Sequence, residues 1–173
     1  MCGFVFYSGK DLPKEKFEQA LDKISHRGPD DTEVVQVNNM WMGFKRLAIM
    51  DLSHDGDQPF SHKGAWVVCN GEIYNYQALE KTFMKYSYKS KSDCEVLVPI
   101  FRDEGIEGIV KRVDAEYACV VYDEKNDSLF AARDPIGIRP LFFGYSESGN
   151  IAFASEVKAL QGIVKDIKPF PPG

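Results

Sequence analysis

The sequence predicts an α+β fold with largely antiparallel sheets and helices packed on their outer faces. Three observations carry this reading. Apolar, β-prone runs crowd both ends of the chain, two or three segments with helical spacing fall between them, and strands and helices do not alternate regularly as βαβ units would. The length of 173 residues suits one domain, 1–173, with a sizeable core, and 44% apolar with 27% charged residues is globular composition.

The elements follow in order. Cys2–Tyr7 is apolar and reads as a buried strand. Pro13 opens a helical stretch in which Phe17, Ala20, Leu21 and Ile24 share one face, and His26-Arg27-Gly28-Pro29-Asp30 breaks it. Val34–Val37 and Trp41–Phe44 are expected as strands around an Asn38-Asn39 turn. Leu47–Leu52 is expected as another short strand, followed by a polar loop, Ser53–Gln58. Trp66–Cys69 is expected as a strand that stops at an Asn70-Gly71 turn. One helix then holds Ala78, Leu79 and Phe83, and a second runs from Asp93, a capping carboxylate, to Asp103. A short helix holds Ile106, Ile109, Val110 and Val113. Strands return at Tyr117–Tyr122, Leu129–Ala132, Leu141–Gly144 and Ile151–Ala154, before a short helix near Glu156–Gln161 and a tail, Pro169–Gly173, that cannot be helical.

Composition excludes several functions. A net charge of −5 lacks the basic face of a general nucleic-acid binder. The four cysteines form no C-x-x-C pair and the three histidines show no ligand spacing, so neither zinc nor a disulfide framework is expected, and a reducing, cytoplasmic setting is. Lys10, Asp11 and Lys14 interrupt the first apolar stretch too early for a signal peptide, and no run is long enough to span a membrane.

Candidate chemistry begins at Met1-Cys2-Gly3. Removal of an initiator Met before a small residue would give Cys2 both a thiol and a free amine. An α-amine titrates near about 7.7–8.0 and a thiol near about 8.5, so the amine can act as base for its own thiol, directly or through a water. By itself a Cys at this position reads more readily as a small buried hydrophobe. Arg46, at the mouth of an apolar run, can clamp a carboxylate in a two-pronged contact or make a surface salt bridge. Asn70 and the Gly71 N–H can point together at an oxyanion or simply make a turn. Asp93 can hold an ammonium group or cap its helix.

Six motifs occur in one order: Cys2-Gly3, H-R-G-P-D at 26–30, R-L-A-I-M-D at 46–51, N-G-E-I-Y-N at 70–75, S-D-C-E at 92–95 and R-D-P-I-G-I-R-P-L at 133–141. Together they resemble the class II glutamine amidotransferase domain of glutamine-hydrolysing asparagine synthetases. The resemblance covers nearly the whole chain, through Ser155-Glu156 and Lys158-Ala159-Leu160. It implies an N-terminal-nucleophile hydrolase fold, an αββα sandwich of two antiparallel sheets between helical layers. It also implies roles. Cys2 would attack the side-chain amide of L-glutamine, and Asn70 and Gly71 would form the oxyanion hole. Arg46 would hold the α-carboxylate, Asp93 with Glu72 the α-ammonium, and the segment Leu47-Ala48-Ile49-Met50 would line the pocket. The charges suit glutamine, a zwitterion that needs one cation and one or two carboxylates.

The sequence departs from the family pattern at Ala115, where a Gly is usual, at Cys119, where an aromatic is usual, and in the loop Ser53–Asp57. The resemblance also places a larger synthetase domain after this one. Neither its S-G-G-x-D-S pyrophosphate loop nor a Walker glycine loop occurs here, so no cofactor is expected on this chain, and ATP and Mg only on that domain. Expected partners are L-glutamine and an acceptor domain in cis or trans, with no nucleic acid and no membrane; a homodimer stays open. A different class of function, a non-catalytic interaction module that keeps the fold unprocessed, is separated from the glutaminase by the state of residue 1.

Overall fold

Alternation along the first strand, β1 (Gly3–Ser8), sets how the layers stack. Phe4 and Phe6 point to one side and Val5 and Tyr7 to the other, and all four are buried. Such a strand needs cover on both faces. In the computed structural model, which describes Met1 to Gly173 throughout, one face receives a second sheet and the other a helical layer.

β1 lies inside a six-stranded sheet of order β10-β8-β9-β1-β3-β2, made with β2 (Asp31–Val37), β3 (Met40–Arg46), β8 (Phe142–Tyr145), β9 (Ile151–Ala154) and β10 (Lys165–Pro169). The second sheet has four strands in the order β4-β5-β6-β7: β4 (Phe60–His62), β5 (Ala65–Ile73), β6 (Ala115–Asp123) and β7 (Ser128–Arg133). Every strand pair is antiparallel. Three apolar clusters fill the three interfaces. Phe4, Phe6, Met42 and Phe44 meet Val68, Val120 and Tyr122 between the sheets. Val5, Tyr7 and Trp41 meet Phe17, Leu21 and Leu160 of α1 (Lys14–Asp22) and α4 (Val157–Leu160). Val67, Cys69 and Tyr117 meet Leu79, Leu97 and Ile100 of α2 (Tyr76–Thr82) and α3 (Leu97–Arg112). Each fully buried Phe or Leu contributes about 1.5–3 kcal/mol, so these rows dominate the stability of the stack. The result is the expected αββα sandwich.

Several local expectations change. Leu47–Leu52 is not a strand. Ile49, Met50 and Leu52 are exposed there, because the segment leaves the sheet edge, and Ile49 and Met50 border an opening. Asn70-Gly71 is not a turn, since β5 runs on through it to the buried Ile73. Gly71 instead serves close approach: a Cβ there would sit 2.7 Å from the Tyr117 Cβ and 2.8 Å from the Glu116 carbonyl of β6. Asp93 starts a 3₁₀ turn, Asp93–Val96, and its carboxylate accepts a hydrogen bond from the Ile73 N–H of β5 at 2.6 Å. The two helices expected from Asp93 to Val113 follow that turn as one element, α3, kinked at Gly105 with φ 70°. Two edge strands, β4 and β10, escape the sequence patterns. β4 is three residues long, and β10 is polar and mostly exposed.

Candidate active site

The site lies at one end of the space between the sheets. Counting along each strand in steps of two, the inner row of β3 runs Met42, Phe44, Arg46 and that of β5 runs Val68, Asn70, Glu72. Cys2 extends the inner row of β1 ahead of Phe4 and Phe6, and it packs against the same apolar cluster. Each row is apolar in the middle and turns polar at this end. Strand register therefore brings Cys2, Arg46, Asn70 and Glu72 together from segments far apart in sequence.

A cavity of ≈ 130 Å³ opens there. Cys2, Arg46, Leu47, Ile49, Met50, Asn70, Gly71, Glu72 and Asp93 all line it. Ala48 does not: its N–H is drawn aside to the Asp30 carboxylate at 2.8 Å, which corrects its assignment to the pocket wall. Asp51, Gln58, Cys94 and Arg139, to which the sequence assigned no role, also border the cavity.

Cys2 is the one thiol that is not buried. Its Sγ accepts from the Leu47 N–H at 3.3 Å and lies 3.5 Å from the Leu47 carbonyl. The buried thiols differ chemically, and burial pushes Cys119 up to about 12. The Cys2 carbonyl accepts from Arg27 Nε at 2.8 Å. The Asn70 amide, oriented by its neighbours, donates to the same carbonyl at 3.1 Å and accepts from Arg27 Nη2 at 3.3 Å. Arg27 thus ties the nucleophile candidate to the oxyanion candidate. Its signal in the sequence was membership of the H-R-G-P-D motif, which alone read as a helix stop.

The charged groups are arranged unequally. Asp93 is buried, and burial raises its pKa against the opposing pull of the Ile73, Cys94 and Asp93 N–H groups. Glu72 is exposed at the rim and lies opposite Glu116 on β6. Arg139 pairs with Glu116 at 2.5 Å, and its Nε is buried without a partner. Its other arm contacts the Met1 sulfur. Met1 is joined to Cys2 and half exposed, so the Cys2 nitrogen is here a peptide nitrogen.

Arg46 is buried and wrapped by the loop that follows β3. It donates to the Ser53 carbonyl at 2.6 Å, to Asp57 at 2.7 Å and to the Asp51 carbonyl. Those bonds use three of the five guanidinium hydrogens and leave two without a protein partner. A Cβ on Gly56 would stand 2.3 Å from Arg46 Nη2, so only Gly lets the loop close this tightly. Gln58 then bolts the loop to β5, bonding the Cys69 N–H at 2.6 Å and the Cys69 carbonyl at 3.0 Å. Asp51 anchors the loop further: the Lys91 N–H, the Ser53 N–H and the Ser53 hydroxyl hold its carboxyl down at about 2.

The histidines show no ligand spacing in the sequence, yet the fold brings His54 to Asp31 and Asp57 within 4.8 Å. A hydrogen bond to Asp57, with the charges of Asp31 and Asp57, raises the His54 pKa. Arg46 already neutralises Asp57, which disfavours a metal cation there and marks the trio as an ion-pair cluster.

Comparison with known proteins places the chain in a family. The family model described as "Glutamine amidotransferase domain" matches residues 1–169. A probable glutamine-hydrolysing asparagine synthetase of Acanthamoeba polyphaga mimivirus is 43% identical over 98% of the chain. One of Dictyostelium discoideum is 38% identical over the full chain, and asparagine synthetase 3 of Arabidopsis thaliana is 35% identical over the full chain. The chain spans about a third of each of these relatives, 33%, 32% and 31%. In three dimensions it superposes on glutamine phosphoribosylpyrophosphate amidotransferase from B. subtilis with a TM-score of 0.82 at 19% identity, covering 100% of this chain and 46% of that one. That likeness identifies the stack as the N-terminal-nucleophile hydrolase fold. The chain belongs to the class II glutamine amidotransferase domain family, in the sequence branch of the glutamine-hydrolysing asparagine synthetases.

Proposed function

We propose that this domain hydrolyses the side-chain amide of L-glutamine to glutamate and ammonia through a thioester on Cys2. The observation that carries the reading is one cavity holding an accessible thiol, an Asn amide beside it, one buried cation and a buried carboxylate. Once Met1 is removed, the α-amine of Cys2 takes the thiol proton. The sulfur attacks the amide carbon, and the oxyanion is met by the Asn70 amide and the Gly71 N–H. Collapse expels ammonia, which leaves with the proton the amine held, and the acyl group stays on sulfur. Water attacks the thioester, glutamate departs and the thiol is restored. Arg46 holds the α-carboxylate, while Asp93 with Glu72 holds the α-ammonium. In this reading the Asn70 amide swings from the Cys2 carbonyl, where it rests at 3.1 Å, to the developing oxyanion.

The chain's likeness to glutamine-hydrolysing asparagine synthetases supports passing the ammonia to an acceptor domain, in cis or in trans, for asparagine synthesis. None of the groups assigned here to glutamine needs a metal or cofactor, and any ATP would bind on the acceptor domain. No helix is long and apolar enough to cross a membrane, and we place the domain in the cytoplasm.

Intact mass and glutamate release decide the matter. Purified protein should lack Met1 and release glutamate, and Cys2→Ala should lose at least about 1,000-fold in rate. Equal release by wild type and Cys2→Ala would sink the mechanism. Full retention of Met1 with no release would leave a glutaminase-like interaction module.

A further inference from the structure

Ser155-Glu156 has no part in the chemistry above, although both residues are placed with care. β9 ends at Ala154, but Ser155 continues its pairing with β1: its N–H donates to the Phe4 carbonyl at 3.1 Å, and its buried hydroxyl accepts from the Phe4 N–H at 3.0 Å. That lock delivers Glu156 next to the Cys2-Gly3 end of β1. On its far side α4 begins at once, with Ala159 and Leu160 buried against the α1 layer. Glu156 is therefore held from both sides.

We propose that Glu156 is a positioning residue for the Cys2 centre, acting through the guanidinium of Arg27. Its Oε1 accepts from Arg27 Nη1 at 3.1 Å and faces His26 Nε2 at 3.0 Å, and its Oε2 meets Lys158 at 3.1 Å. Arg27 is 10% exposed, so this pair is not an ordinary surface contact. A guanidinium is planar and rigid. With Nε on the Cys2 carbonyl and Nη2 on the Asn70 oxygen, a third bond at Nη1 fixes its rotation completely. The absent Gly3 side chain makes room for the arm, since a Cβ there would lie 2.9 Å from Arg27 Cδ. Burial pushes the Glu156 carboxyl up, but Arg27, Lys158 and His26 more than offset it and keep the group charged. Glu156 touches no reacting atom. It sets where the Cys2 backbone and the Asn70 amide stand before glutamine arrives.

The turnover side of this proposal rests on the glutaminase reading; the exchange side does not. Glu156→Ala is expected to lower kcat for glutamate release about tenfold, with KM within about twofold, and Glu156→Gln, which keeps an oxygen acceptor, to recover most of the loss. Adding Arg27→Lys to Glu156→Ala should lower kcat no further than Arg27→Lys alone. By nuclear magnetic resonance, solvent exchange of the Arg27 Nε–H should speed up at least tenfold in Glu156→Ala. Wild-type kcat in Glu156→Ala, additive effects of the two substitutions, or unchanged Nε–H exchange would each overturn the proposal. If the wild type releases no glutamate, the glutaminase reading fails and the exchange rate alone decides the role of Glu156.

Discussion

The space between the two sheets ends differently at its two openings. At the closed end, hairpin turns at Asn38 and Asp127 fold over the layer, and the buried Tyr122 ties them together: Asn38 donates to its hydroxyl at 3.0 Å, which donates to Asp127 at 2.9 Å. At the open end, the same rows finish in Cys2, Arg46 and Asn70, which depend on Leu47, on Asp51 to Asp57 and on Arg27. Both ends join distant segments: Asn38 and Tyr122 are 84 residues apart at the closed end, and Cys2 and Leu47 are 45 apart and Arg27 and Glu156 129 apart at the open end. What differs is their purpose: at one end hydrogen bonds join two hairpins around a single buried hydroxyl, and at the other they hold polar groups at an open cavity.

Substitutions at the two ends should separate activity from stability. After Cys2→Ala, the largest effect is expected from Asn70→Ala, with kcat for glutamate release down about 100- to 1,000-fold and a smaller change in KM. Wild-type kcat would remove Asn70 from oxyanion binding. Arg46→Ala should raise the KM for glutamine more than about tenfold, read from steady-state kinetics with saturation extended to high substrate; an unchanged KM would place the carboxylate elsewhere. Tyr122→Phe, at the closed end, loses two hydrogen bonds worth about 0.5–1.5 kcal/mol each, so Tm should fall by several degrees while kcat and KM stay put. A loss of activity there would break the separation of the two ends. The smallest effect concerns pH. The Asp51 carboxyl is held at about 2 in the folded chain, below its ordinary value, so its stabilising contribution is full above about pH 4 and is lost as pH falls toward 2. Asp51→Asn should flatten that acid limb in a series of thermal melts, and an unaltered limb would show that the loop anchor does not couple to folding.

Much of the layering was legible because burial has a period. Phe17, Ala20 and Leu21 form one face of α1, Ile24 follows in the turn beyond it, and all four are buried as expected. Continuous apolar runs marked the central strands of both sheets, which are buried on both faces. The misses share a cause, which is that local signals were outvoted by distant partners. Ile49 and Met50 are apolar yet exposed at the cavity and Leu52 is exposed beyond it, so their run imitates a strand. Asn70-Gly71 looks like a turn because of Gly71, but that glycine serves the close approach of β6. Lys165–Pro169 has the polarity of a loop because an edge strand exposes most of its side chains. The site residues were readable only as ordered motifs. No periodicity joins Cys2 to Asn70 or Arg27 to Glu156, and the loop locked around Arg46 by Gly56 and Gln58 carried no sequence signal.

The inner row of β1 has a consequence for engineering the start of the chain. Cys2 faces the cavity because it is an even number of residues from Phe4 and Phe6. Deleting Gly3 would keep a cysteine behind the initiator methionine, with the same amine to expose, but would swing its thiol toward the α1 layer, out of reach of Asn70. The terminus therefore has a parity as well as a composition. Library designs that vary its length should step by two.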